Sequence, residues 1–392
     1  MKLDIKPLIW DETLRDGEQS PGVAFSVKEK VDIAKFLDRV GVDIIDLGFP
    51  AISEDERTAI IQINNLGLKA KLGVTVRLTK DDILLAKKCG CKTIFMFAPT
   101  SEILIRTKFN MDYSEIKNSI IESIKFALNS DMEVFFISED STRSDIVFLT
   151  DLFNNIYKLG VESIVITDTI GIMTPSSIGK FVRQIINSCD KRIKFGIHCH
   201  NDFGLATANT ISSLEEGIIY ATATVNGIGE RSGNASIEEI IMILTQLYNC
   251  DLNINTTLLL ELSKMVENYS LLPVSANKAI VGYSSFRHES GIHINSMIKN
   301  LNTYLPFDPG LVGQENKFVY GKHSGKAAIR YFIENRFNEA SKEDISAVLK
   351  VIKEKGREDK KLIIDKAIGY YNQELAISEV ELEGLVERIL NR

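Results

Sequence analysis

Eight short apolar runs rich in β-branched and aromatic residues punctuate the first two-thirds of this chain, near residues 7–10, 43–48, 70–76, 92–97, 133–138, 162–167, 193–200 and 219–226. The segments between them are amphipathic with helical spacing, as in Val27 to Val40 and Ile146 to Leu159. Strands alternating with helices build βαβ units, and βαβ units build parallel sheets. Eight such units closing on themselves predict an α/β fold, a (β/α)8 TIM barrel over residues 1–268. An open doubly wound sheet is the alternative. It lacks support, because no Gly-rich dinucleotide turn follows the first run, and Gly227, Gly229 and Gly233 have the wrong spacing for one and read as loop glycines.

In a barrel of this kind chemistry collects at the C-terminal ends of the strands. Six of the eight runs end in polar residues: Asp11 to Gln19, Thr75 to Arg77, Ser138-Glu139-Asp140, Thr167-Asp168-Thr169, His198 to Asp202, and Asn226 to Asn234. Each alone is an ordinary loop polar group or helix cap; together they read as one convergent site. His198-Cys199-His200 is its sharpest element. Side chains alternate faces along a strand, so His198 and His200 share a face and Cys199 takes the other. Two imidazoles and a carboxylate from elsewhere make a divalent metal site with open positions, whereas two strand histidines without such company are usually nothing more. Cys89-Gly90-Cys91 has no matching second pair and reads as structural.

Composition narrows the function classes. The net charge of -7 is spread over both signs, with no basic stripe for nucleic acid. The N-terminus Met1-Lys2-Leu3-Asp4-Ile5-Lys6 has no apolar signal region, and no apolar run reaches the ~20 residues that cross a bilayer. Five cysteines without framework spacing suit a reducing compartment, so a cytoplasmic protein is expected. After about residue 268 the pattern changes. A loop-rich segment over 269–325 carries three of the five histidines, His288, His293 and His323, and is expected to reach a catalytic site as a linker or lid. Residues 326–392 read as a helical subdomain, with Lys353 to Lys361 as a solvated helix face.

The motifs Asp11-Glu12-Thr13-Leu14-Arg15-Asp16-Gly17-Glu18-Gln19, His198-Cys199-His200-Asn201-Asp202, Asn226-Gly227-Ile228-Gly229-Glu230-Arg231 and Gly321-Lys322-His323-Ser324-Gly325 occur in this order. Through them the chain resembles the 2-isopropylmalate synthase/homocitrate synthase family of metal-dependent barrel enzymes. The resemblance implies a Claisen-type condensation of acetyl-CoA with a 2-oxo acid, giving a 2-substituted malate and free CoA. It implies that Asp16, His198 and His200 hold a divalent metal (Mg, Mn, Zn or Co), with Asn234 as a supplementary ligand. It assigns Arg15 to charge stabilisation, Thr169 to the carboxylate of the 2-oxo acid, and His293 and Tyr304 to enolisation of acetyl-CoA. Glu139 is expected to orient the metal shell or Arg15. In the family the segment after the barrel usually crosses onto a partner, so a homodimer is implied.

The acceptor is less legible. The short stretch after Gly325 is expected to leave out the regulatory domain of leucine-inhibited isopropylmalate synthases. With Phe307 to Gly313, it resembles the short homocitrate synthases most. Asp16 and the Gly48-Phe49-Pro50 turn set the chain apart from the lysine-pathway enzymes. That likeness makes 2-oxoglutarate the first expectation. Its distal carboxylate needs a cation, and Arg77 is the candidate. Phe95, Phe135 and Ile137, read as pocket residues, would instead suit an apolar acceptor, as in isopropylmalate or citramalate synthesis. A barrel lyase such as hydroxymethylglutaryl-CoA lyase is a remoter alternative. That relative uses a cysteine in the loop after strand eight, and residues 226–236 contain none. A metabolite sensor on the same fold would have no need of His293.

Overall fold

The computed structural model describes Leu3 and residues 5–337, 341–365 and 379–390. They form two compact units, Met1–Leu272 and Pro273–Arg392. The first is a closed barrel of eight parallel strands in sequence order: β1 (Leu8–Asp11), β2 (Ile44–Asp46), β3 (Lys71–Val76), β4 (Thr93–Pro99), β5 (Glu133–Glu139), β6 (Ser163–Asp168), β7 (Lys194–Cys199) and β8 (Tyr220–Ala223). β8 closes against β1 through Leu8↔Tyr220 to Asp11↔Ala223.

The helices start where short polar side chains cap them. α1 (Val27–Val40) opens on a capping box between Ser26 and Glu29, and it ends at Gly41, whose φ of 98° few other residues adopt. Its buried face is Val31, Ile33, Ala34, Phe36, Leu37 and Val40, joined unexpectedly by Lys30. Ser53, Thr79 and Ser101 cap α2 (Glu54–Asn64), α3 (Lys80–Lys88) and α4 (Glu102–Phe109).

Inside the barrel the two-residue period of each strand stacks side chains in layers. The lower layer is an aromatic floor: Trp10 lies 4.3 Å centroid to centroid from Phe95 and edge-on to Phe135 at 5.5 Å, with Tyr220 beside them. Gly73 makes room for this floor, since a Cβ there would lie 2.3 Å from the Phe95 ring. One pleat higher, toward the C-terminal ends, come Asp46, Thr75, Phe97, Ile137, Thr167 and His198, paired in register as Phe97↔Ile137 and Thr167↔His198. The barrel is therefore filled from below, and its charged groups gather at the upper end.

In the second unit a short parallel ladder joins Arg287–His288 to Lys317–Phe318. Ile294 and Tyr320 pack in one core with Ile329, Phe332, Ile333, Ile345 and Val348. Residues of the expected linker and of the expected helical subdomain thus share a core. The reading of Lys353–Lys361 as a solvated face is met at Lys353 and Glu354, which are exposed; from residue 356 it lies outside the described side chains. Among the described residues no helix is long and apolar enough to cross a membrane.

Candidate active site

The upper end of the barrel holds a cavity of about 250 Å³ walled by Arg15, Asp16, Phe49, Thr75, Phe97, Ile137, Glu139, Thr169, His198, His200 and Arg231, among others. That is smaller than the ~300–1,000 Å³ of drug-sized sites and suits a small acid.

Asp16, His198 and His200 converge at its base, all three buried. The Nε2 atoms of the two histidines face each other at 3.2 Å, and Asp16 Oδ2 lies 3.3 Å and 3.7 Å from them. Each Nδ1 is spoken for elsewhere: His198 Nδ1 by Glu12 Oε2 at 2.6 Å and Thr222 Oγ1 at 3.0 Å, His200 Nδ1 by the Gly233 carbonyl at 3.3 Å. With both Nδ1 atoms donating, two Nε2 lone pairs and a carboxylate oxygen point at one spot. That arrangement is repulsive unless a proton or a cation occupies it. Ligand atoms bonded at about 2.0–2.2 Å to one metal stand roughly 3–3.5 Å apart, close to what is found here. The buried Oδ1 atoms of Asp16 and Asn234 also have no hydrogen-bond partner, as oxygens kept for a ligand would. The donor set fits a divalent cation.

Electrostatics support the same picture. Burial opposes ionisation of Asp16, yet Arg15 and the two histidines hold its carboxyl well below the usual range. Burial, the neighbouring His198 charge and Arg231 push His200 down to about 4, so it presents a neutral nitrogen. Burial also works against a charged His198, but Glu12 and Asp16 outweigh it and raise that pKa to about 9. A cation held by these residues would take the place of that proton.

Arg15 is held by three carboxylates: Glu12, Asp16 at 3.4 Å and Asp46, which accepts from Nε at 3.2 Å. Asp46 in turn accepts from Thr75 Oγ1 at 2.5 Å and from the Gly48 amide at 3.1 Å. Asn234 arrives from the glycine-rich loop after β8, which runs antiparallel to the end of β7 and pairs His200 with Asn234. Gly229 and Gly233 are required there. A Cβ on Gly229 would meet Asn234 Nδ2 at 2.1 Å, and one on Gly233 would meet the Gly227 carbonyl at 2.0 Å.

Several sequence expectations meet a different arrangement. Phe95 and Phe135 point into the barrel but belong to the floor, buried beneath the cavity; Phe49 and Phe97, in edge-on contact at 5.8 Å, supply the aromatic wall, with Ile137 beside them. Arg77 does not line the cavity. Its guanidinium is taken by Asp82 through two hydrogen bonds of 2.8 Å, and its side chain is 58% exposed. Glu139 lines the cavity but touches neither Arg15 nor the histidines in any hydrogen bond or ion pair; its Oε1 accepts from Lys108 Nζ at 2.6 Å and its Oε2 is buried without a partner. Thr169 lines the cavity, its hydroxyl sharing Thr167 and accepting from the Asp140 amide. His293 and Tyr304, in the second unit, stack at 4.0 Å.

Glu12 and Asp46 were not singled out by sequence reasoning. Strand parity was the available signal, since Glu12 follows Trp10, and Asp46 follows Ile44, on the inward face.

Comparison with known proteins bears on the whole chain. The HMGL-like family model matches residues 6–266, and the homocitrate synthase post-HMGL domain-like model matches residues 280–360. Homocitrate synthase AksA of Methanopyrus kandleri is 38% identical over 100% of this chain and 94% of its own length. (R)-citramalate synthase CimA of Methanocaldococcus jannaschii is 39% identical over 89% of this chain and 70% of its own. Among solved structures, the HMG-CoA lyase of Bacillus subtilis superposes with a TM-score of 0.64 at 19% identity, covering 72% of this chain and 98% of the lyase, a likeness of fold.

Proposed function

This chain belongs to the HMGL-like family and carries the homocitrate synthase post-HMGL domain, and on that premise we propose that it condenses acetyl-CoA with a small 2-oxo acid, releasing free CoA and a 2-substituted malate. The observation that carries the reading is the convergence of Asp16, His198 and His200 beside a fixed arginine in a small cavity. When bound there, a divalent cation would act as a Lewis acid toward the acceptor's keto group. Arg15 keeps a permanent positive charge against the oxygen that becomes negative as the new carbon–carbon bond forms. Glu12 and Asp46 prevent that guanidinium from swinging away. Thr169, on the cavity wall, binds the acceptor's carboxylate, and Asn234 offers its free Oδ1 as a supplementary ligand. His293, its ring fixed by stacking on Tyr304, takes the proton from the acetyl methyl group. Hydrolysis of the thioester then releases CoA and draws the condensation forward. A homodimer and a cytoplasmic setting belong to this reading.

For the acceptor we place 2-oxoglutarate first. Likeness to AksA over all of this chain and 94% of the relative supports it. Lys108, which pairs with Glu139 of the cavity wall, replaces Arg77 as the candidate cation for the distal carboxylate. A second reading, a 2-oxo acid with an apolar side chain such as pyruvate or 2-oxoisovalerate, is favoured by the Phe49–Phe97–Ile137 wall. It is also favoured by the cost of burying a carboxylate whose cation is already paired. The test is acetyl-CoA-dependent thiol release with Mg or Mn over 2-oxoglutarate, 2-oxoisovalerate, pyruvate and oxaloacetate. Turnover that a chelator abolishes is expected. For homocitrate formation, Lys108→Met raises the KM for 2-oxoglutarate at least tenfold; preference for an acceptor with an apolar side chain refutes the first reading, and silence across the panel refutes condensation.

A further inference from the structure

A second polar cluster lies beside the catalytic cavity, and no step above uses it. Lys30 of α1 is 1% exposed, yet it projects its ammonium group inward. Its Nζ donates to the Leu14 carbonyl at 3.1 Å and to Glu56 Oε2 of α2 at 2.5 Å, and it pairs with Glu18 Oε2 at 2.5 Å. Both carboxylates carry the connection onward through their other oxygens. Glu56 Oε1 accepts from the Phe49 amide at 3.2 Å, and Glu18 Oε1 from the Phe25 amide at 2.8 Å. Gly48 is shaped to this contact: its φ is 110°, and a Cβ would stand 1.9 Å from Glu56 Oε1.

Leu14 immediately precedes Arg15 and Asp16, and Phe49 is the aromatic wall of the cavity. We infer that Lys30 and Glu56 form a buried ionic clamp that sets the distance between the loop after β1 and the loop after β2, and so positions Arg15 and Phe49 around the acceptor. The reason is energetic. A lysine removed from water is retained only where paired carboxylates and hydrogen bonds offset its desolvation, and apolar residues would serve packing as well or better. An ammonium ion is a point donor with three hydrogens and ties its own helix to two other chain segments at once, the loop after β1 and α2, which no apolar side chain does. Lys30 and Glu56 are therefore positioning residues, acting through Leu14 and the Phe49 amide. They lie outside the reacting atoms.

The inference rests on the condensation reading for its kinetic form, and the experiment separates the two. Glu56→Gln removes the charge while keeping an oxygen for the Phe49 amide. Acceptor KM, acetyl-CoA KM, Mn²⁺ affinity and amide hydrogen exchange of peptides covering residues 12–19 and 47–50 are measured on parent and variant. A clamp predicts a rise of at least tenfold in acceptor KM, unchanged acetyl-CoA KM, Mn²⁺ affinity within about threefold, and faster exchange in both peptides. A folded variant with parental acceptor KM and parental exchange overturns it, as does a loss of thermal stability alone. Should the parent turn over no acid, the function reading fails and exchange alone decides: faster in both loops supports the clamp, unchanged overturns it. Where Glu56→Gln does not fold, Glu18→Gln, at a side chain 22% exposed, must still raise acceptor KM severalfold or speed exchange in 12–19; failing both, the clamp is wrong.

Discussion

Replacing Glu12 by Gln tests the electrostatic frame of the site. Glu12 bridges Arg15 and His198 Nδ1, so one buried carboxylate steadies both the arginine and a candidate metal ligand. Gln retains an oxygen for His198 but surrenders the charge. Partners that orient a ligating histidine typically contribute 10–100-fold in metal affinity, about 1.4–2.7 kcal/mol. Isothermal titration of Mn²⁺ at pH 7 should show a loss of that size. Stability changes too. Burial alone would raise the Glu12 pKa, but Arg15 and His198 overcome it and lower it from 4.5 to about 2. A carboxylate depressed by that amount contributes on the order of 3 kcal/mol, fully present above its unfolded value and lost as pH falls from about 4.5 toward 2. Urea titrations of parent and variant should therefore differ most at neutral pH and converge only at about pH 2 and below. Parental Mn²⁺ affinity and a parental urea midpoint at pH 7 would refute the bridging role.

Two further substitutions probe the layered interior. Gly73→Ala drives a methyl into the Phe95 ring and should cost about 1–3 kcal/mol by overpacking, with Phe95→Leu restoring part of the loss in a double-mutant cycle on the urea midpoint. Simple additivity there would count against the contact. Arg77→Ala should leave the acceptor KM within twofold, because Asp82 already holds that guanidinium outside the cavity; a tenfold rise would return Arg77 to the site.

Much of the fold was legible because local periodicity and topology agree. All eight expected runs became strands within a few residues, and Val27–Val40 is a helix to the residue. Alternation along β7 also put His198 and His200 on one face. What local sequence does not carry is depth. Phe95 and Phe97 share a face, as do Phe135 and Ile137, and only the register and tilt of neighbouring strands decide which pair forms the floor and which lines the cavity. The Arg77–Asp82 pairing lies only five residues apart and was open to local inspection, unlike the links of Glu139 to Lys108 and of Arg15 to Asp46. Those depend on loops from different strands meeting at one end of the barrel. The chain's alternating pattern by itself determined that a barrel forms and that its polar strand ends converge. Closure of that barrel decided which carboxylates surround Arg15 and which ring lines the cavity. It also decided that a lysine on a helix's buried face finds two acids, because burial and ionic pairing depend on what packs opposite, not on what lies next along the chain.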